Sequence, residues 1–454
     1  MSGQIKASSL TEELVDILSR SVDGETRRRA ALHVLDWLGC AAAGAPAEAV
    51  RTLAKISAEE DAGPCSVIGG GAAGALAAVL PNGAAGGVLE MDDVHGTAIL
   101  HPGPVVIPAA LAAAQHAGAD GAAFLDGVVR GVEAMVRIGA AVGPGHYAHW
   151  HNTATCGPFG AAAAAASVFG LSGEESVWAL GNAGTQSSGL WAVRHEPVMS
   201  KQLHGGRAAH AGLLAAMLAQ QGFTGPRFVL EGPQGFFEAM CPDGAPKDIL
   251  KDPEGPWRIF EVSFKPWPAC RHAHAAIDAA LALRPRVDSA AIEAIDILTY
   301  ADAVKFCDTP QPETVLQAKF SLQHSVAAAL ADGPPPLAAF DLDYVAKPSV
   351  ARLREVCRVE SAAPYDSAYP DHYGAEVRAH LATGETVSAA APDALGDPEN
   401  PLSEAALEDK ARALMAAGGM DAVGSDRLIA AALVLGEGGS LEAVIKALPK
   451  GAAP

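Results

Sequence analysis

Six consecutive alanines, Ala161–Ala166, sit in a helical run, Ala161–Phe169, that is nearly free of charge. A second such run is Arg207–Gln220. A helix that is apolar all round has no face to offer water, so it must lie buried among other helices. That constraint demands a large helical core. Small side chains let helix axes approach closely, and 48 glycines serve the same end.

Composition narrows the classes further. Half of the 454 residues are hydrophobic, which excludes intrinsic disorder. Seven cysteines are too few, and odd in number, for a disulfide scaffold. Glycine shows no three-residue period, so the chain is not collagen-like. The apolar stretches are broken by Gly, His or charge before about 20 residues, which argues against a membrane bundle. The net charge of −20 repels nucleic acid and anionic lipid. An anionic small molecule would therefore need a local basic pocket. The opening segment, Met1–Ser9, is polar with no apolar stretch. The expectation is a cytoplasmic protein with reduced thiols.

The length predicts two or three domains at about 150 residues each. Ser9 and Glu12 form a capping-box pattern before the apolar face of Leu14, Ile17 and Leu18. Glu25–Ala43 reads as an amphipathic helix stopped by Gly44 and Pro46. Pro108 reads as a helix start before Ala109–Ala117, with Gly118 as its stop. The character changes near residue 260. Phe260–Phe264 and Ile292–Tyr300 are strand-like, and Ala375–Leu381 with Glu385–Ala389 reads as a hairpin around Ala382-Thr383-Gly384. Helical runs at His272–Leu283 and Leu322–Leu330 lie between them. After Pro392 helices return, with Ser403 and Ser425 as expected N-caps. The predicted fold class is mainly α. A large all-helical domain takes residues 1–266 and 400–454, and a smaller α+β domain takes 267–399.

Several familiar motifs carry little weight. Gly69, Gly71 and Gly74 satisfy G-x-G-x-x-G, but no βαβ pattern surrounds them, so a plain glycine turn is the expectation. Histidines cluster at 146, 149 and 151 and at 272 and 274, yet no CxxC pair or HExxH supports a metal site. Cys156 reads as a small buried residue before a helix. No G-x-S-x-G elbow is present.

Four segments stand out against this background. Residues 89–103, Leu-Glu-Met-Asp-Asp-Val-His-Gly-Thr-Ala-Ile-Leu-His-Pro-Gly, place three acids and two histidines between apolar helical runs. An acid beside a histidine fixes its tautomer and suits general acid–base work near neutral pH. Residues 145–157 bring His146, His149 and His151 to the start of an alanine-rich helix, where backbone donors attract carboxylates. Residues 200–209 place Lys201, His204 and Arg207 before another small-residue helix. Residues 264–272 place Lys265 and Arg271 at the expected domain boundary, a frequent position for ligands.

These four segments, in this order, resemble the MmgE/PrpD family. The likeness extends to Gly222-Phe223-Thr224-Gly225-Pro226, Leu230-Glu231-Gly232 and Gly235-Phe236. It also takes in Ala318-Lys319-Phe320-Ser321-Leu322 and Val326–Leu330, and so covers roughly residues 10–390. The family includes 2-methylcitrate dehydratase, cis-aconitate decarboxylase and iminodisuccinate epimerase. The resemblance implies a helical domain made from both chain ends, a smaller α+β lid, no cofactor and a homodimer. The family's acidic motif falls on Glu90, Asp92 and Asp93, and its histidines on His101 and His151, the latter with Thr153. Its lysines fall on Lys201 and Lys265. Two positions depart from the family pattern: Glu90 stands where an aspartate is common, and Val94 where a threonine is, with Thr97 as candidate replacement.

The implied chemistry is proton handling beside carboxylates on a di- or tricarboxylate. Lys201, Lys265 and Arg271 would hold carboxylates and stabilise enolate charge. His101 and His151 would be acid and base in an order left open, with Asp93 orienting a histidine. Glu90, Asp92, Thr97, Thr153 and His204 would complete the substrate site, with no metal. Dehydration leads as the expected outcome, with epimerisation and decarboxylation as alternatives. A helical scaffold without catalysis is the rival reading. An enzyme requires His101, His151, Lys201 and Lys265 to converge, whereas a scaffold leaves them scattered.

Overall fold

A computed structural model describes residues 8–449 apart from 61 and 197. Most of the polar opening segment therefore lies outside the described residues. The chain divides into two compact units. One takes the residues up to Val262 together with those from Glu404 onward, and the other takes Ser263–Ser403. The first is helical; the second combines helices with one four-stranded sheet. The fold is mainly α with a smaller α+β part.

In the helical unit the alanine run lies where its composition demands. Asn152–Phe169 packs against Gly103–Ala117, Gly121–Ala141, Gly173–Gly184 and Ser200–Gln220. All of Ala161–Ala166 are buried. The capping box of Ser9 and Glu12 opens the helix Leu10–Leu18, and Glu231 accepts a bond from the Leu10 amide at 2.9 Å. The last helices belong to this unit too: Glu404–Ala417 and Ala422–Leu435 both pack on Gly24–Gly44.

Two departures from the sequence reading have local causes, while the glycine turn lies where it was expected. The helix expected to begin at Pro108 begins at Gly103 and carries Pro108 inside it. Pro104 near the start already fits a helical first turn. Asp421, not Ser425, caps the helix Ala422–Leu435, and Ser425 lies buried within it. The glycines at 69–71 form a tight turn, with φ of 90°, 146° and 85°, joining the two-residue strands Cys65–Ser66 and Ala72–Ala73.

Glycine is required where Ala75–Gly87 and Ser200–Gln220 cross. A Cβ on Gly83 would lie 2.7 Å from the Gly206 Cα and 2.9 Å from the Pro104 carbonyl oxygen. A Cβ on Gly206 would overlap the Leu80 carbonyl. The three helices can meet only where both side chains are absent.

The sheet of the second unit runs in the order Cys357–Ser361, Ile292–Thr299, Ala375–Leu381, Thr386–Ala391. The first pair is parallel and the others antiparallel. Ile295, Ile297 and Thr299 alternate into the core, as a half-buried strand requires. His274–Leu283 packs on the hairpin strands, whose turn carries Gly384 at φ 84°. The unit begins at Ser263 rather than near 267. The Ser263 hydroxyl donates to the Asp397 carboxylate at 2.6 Å, and the Phe264 amide donates to the Gly396 carbonyl at 3.0 Å. Those bonds tie the segment to the second unit.

Overpacking a close helix crossing costs about 1–3 kcal/mol. Gly206→Ala is therefore expected to lower stability by about that amount in urea unfolding; an unchanged midpoint would show that the crossing has slack.

Candidate active site

One small cavity in the helical unit is lined by residues from all three of its singled-out segments. Glu90, Asp92 and His101 come from the first, His151 and Thr153 from the second, and Lys201 from the third. Its volume is about 40 Å³, room for more than one water at ~10–15 Å³ each.

The first wall is the loop that follows Ala75–Gly87. Glu90 has φ 59°, a left-handed conformation that is costly for a non-glycine residue. Its carboxylate pairs with the Lys201 ammonium. Asp92 lies 3.0 Å through Oδ2 from His101 Nδ1, which is also 2.9 Å from the Asp93 carbonyl oxygen. Both partners are acceptors, so Nδ1 carries the proton and, in the neutral ring, Nε2 is left as the basic nitrogen. The His101 amide donates to Thr153 Oγ1 at 3.1 Å, which locks the loop to the second segment.

The acid that orients the cavity histidine is thus Asp92. Asp93 turns away from the cavity. Its Oδ1 accepts from the Gly103 amide at 2.7 Å and its Oδ2 lies 2.8 Å from Nδ1 of the buried His33. A carboxylate on that amide suits the positive end of the helix Gly103–Ala117. Burial pushes the His33 ring below the usual imidazole range, although Asp93 pulls it the other way.

His151 is the N-cap residue of Asn152–Phe169, but its ring makes no capping bond. Instead Nδ1 lies 3.0 Å from His204 Nδ1, and the Trp191 ring covers it at 4.5 Å between centroids. Burial drives His151 well below its ordinary value, and the charges of Lys201, His204 and His101 push the same way. His204 is lowered too, first by burial and then by Lys201. The pair is therefore neutral near pH 7, with one ring donating to the other.

Lys201 opens the helix Ser200–Gln220, five residues before the Gly206 crossing, so the close approach of the helices sets its reach to Glu90. Thr97 is exposed in the turn before Leu100 and does not line the cavity. Lys265 and Arg271 belong to the second unit. Lys265 is fully buried there, and Arg271 pairs with Asp397 and lies 6.0 Å from the Tyr373 ring. Gln202, Pro104 and three glycines, at 83, 87 and 205, also line the cavity. Only their place beside the charged segments could have marked them. His146, in the same histidine cluster, bonds Thr155 Oγ1 at 2.8 Å and the Met240 carbonyl at 2.9 Å. Cys156 is buried, and burial raises its thiol far above the usual range.

Residues 9–248 match the model of the MmgE/PrpD N-terminal domain, and residues 267–435 that of the MmgE/PrpD C-terminal domain. The chain belongs to the MmgE/PrpD family. Among curated relatives, it is 31% identical over 258 residues to the cis-aconitate decarboxylase-like protein oryM of Aspergillus oryzae, which is 54% of this chain and 53% of that one. It is 29% identical over 293 residues to a cis-aconitate decarboxylase of Aspergillus terreus, covering 60% and 59%. A cis-aconitate decarboxylase of Mus musculus is 28% identical over 274 residues, covering 58% and 55%. The matches span little more than half the length of each relative.

The buried neutral His151 has a consequence for stability. In the unfolded chain an imidazole takes a proton near pH ~6.5; in the folded protein His151 does so only at much lower pH. The unfolded state then binds more protons, so this contribution is present above pH ~6.5 and is lost as pH falls through it. His151→Gln is expected to lose less stability than the parent between pH 7.5 and 5.5, read by urea midpoints at the two values. Equal losses would place a charged ring at 151.

Proposed function

We propose that the protein is a lyase acting on a di- or tricarboxylate by proton transfer at a carbon beside a carboxylate. The observation that carries this reading is the convergence of His101, His151 and Lys201 on one cavity, with Asp92 fixing the His101 ring. Three of the four residues whose convergence separates an enzyme from a scaffold line this cavity; Lys265 is not among its lining residues. Lys201 is the cation that receives a substrate carboxylate in exchange for Glu90, which offsets part of the substrate's charge and stabilises negative charge developing on the adjacent carbon. His101 carries the proton through Nε2, and Asp92 supports the ring as its charge changes. His151, kept neutral by its surroundings, is the second proton-handling group, relayed to His204. Lys265 and Arg271 of the second unit are the proposed holders of further carboxylates.

Among the outcomes open to this chemistry, the names of the curated relatives favour decarboxylation over the dehydration that the sequence alone put first. In an unsaturated tricarboxylate such as cis-aconitate, the carboxylate on the saturated carbon beside the double bond can leave as CO₂. Its electron pair then moves through the double bond to the carbon beside another carboxylate. There the charge is held as an enolate until a histidine delivers a proton.

General acid–base catalysis contributes about 10²–10⁴-fold, so His101→Gln and His151→Gln should each lower kcat by at least about a hundredfold in folded protein. Lys201→Ala should raise KM. The assay follows CO₂ release and product NMR with cis-aconitate and a panel of di- and tricarboxylates. Release of CO₂ supports the decarboxylase reading, and gain or loss of water without CO₂ moves the assignment to a hydro-lyase. Full activity in both histidine variants would overturn the site.

A further inference from the structure

The acidic loop of the cavity is held from behind by a residue more than 300 positions downstream. Lys410, on Glu404–Ala417, donates to the Met91 carbonyl oxygen at 2.7 Å and to Asp36 Oδ1 at 2.5 Å. Met91 stands between Glu90 and Asp92, both of which line the cavity. Lys410 and Asp36 are 6% and 2% exposed, so their pairing is shielded from water. Asp36 lies on Gly24–Gly44, three residues after His33, and the two share one helix face. His33 holds Asp93 while Asp36 holds Lys410, so one helix braces the loop at two points.

We propose that Lys410, anchored by Asp36, is a positioning residue for the active-site loop: by pinning the Met91 carbonyl it fixes Glu90 toward Lys201 and Asp92 toward His101. This rests on the reading of the cavity as a proton-transfer site. Burial pulls the Lys410 ammonium down, but Asp36, Cys40 and Asp92 outweigh it and leave it above its ordinary value. Burial raises Asp36 to about 6, against the opposing charge of Lys410. The ammonium is therefore a permanent donor. A buried ion pair is often replaceable by apolar groups with little loss of stability, so stability alone is a weak reason for its presence. The loop gives a stronger one. Glu90 stands at a positive φ and needs its neighbours held, and the carbonyl that Lys410 takes is the next one along.

The test uses the full chain with Lys410→Met and Asp36→Asn combined, which removes both charges and leaves neither unpaired. The readout is the Nδ1–H resonance of His101 in protein labelled with ¹⁵N-histidine, assigned by its absence in His101→Gln. The expected result is a displacement in the same direction as that caused by Asp92→Asn, in protein that still unfolds cooperatively. The kcat for the carboxylate substrate should fall about tenfold to a hundredfold, the scale of a misplaced catalytic group, with KM little changed. A purely structural ion pair would lower the melting temperature and leave the resonance in place; that result overturns the proposal. Should the double variant not fold, Lys410→Arg decides in the same way, since a planar fork replaces the point donor that meets both acceptors. The resonance is read without substrate, so it decides the positioning role even if no carboxylate is turned over.

Discussion

The site depends on one close approach. Ala75–Gly87, Gly103–Ala117 and Ser200–Gln220 meet where Gly83, Gly206 and the Pro104 carbonyl are in contact distance. Each of these helices places a charged or titratable cavity residue, on it or in the loop beside it, within seven positions of that point. Glu90 follows Gly83 by seven residues, Lys201 precedes Gly206 by five, and His101 precedes Pro104 by three. A crossing wider by one methyl group would move all three anchors at once. The alanine and glycine content is thus the condition for the geometry of the cavity as well as for the helical core.

Around that crossing the charges are arranged in pairs. The chain is strongly acidic, and the cavity's lysine is matched to a glutamate, its histidine to an aspartate. The remaining ring, His151, faces another histidine and the Lys201 charge, and burial keeps it neutral. Two imidazoles in one small cavity therefore sit in different surroundings, one against a carboxylate and the other against a second imidazole and the Lys201 charge. The −20 balance, which at first argues only against nucleic acid, places the few available cations under local control.

Much of this was legible in the chain. Nearly charge-free alanine runs had to be buried, the Ser9–Glu12 pattern had to cap a helix, and the Thr-Gly turn had to reverse a hairpin. The acidic loop and the histidine and lysine segments stood out because charge is rare around them. What stayed hidden involves choices between equals. Asp92 and Asp93 are adjacent and chemically identical, and only the path of the loop sends one to His101 and the other to His33. Thr97 had the right chemistry but lies exposed in a turn. Cys357–Ser361 is an edge strand whose alternation, Cys357 and Val359 against Arg358 and Glu360, is too short to stand out. Lys410 reads as an ordinary helix lysine until its distance from Met91 is known.

The proposed transfer of a proton to or from a carbon beside a carboxylate, with His101 as carrier, exchanges hydrogen at that carbon with solvent. Its most direct measurement is deuterium incorporation at that carbon when a panel of di- and tricarboxylates is incubated with the protein in D₂O and read by ¹H NMR. Incorporation beside a carboxylate is expected with at least one member of the panel, and none with His101→Gln. Folded parent protein that leaves every carboxylate undeuterated and unconverted would contradict it.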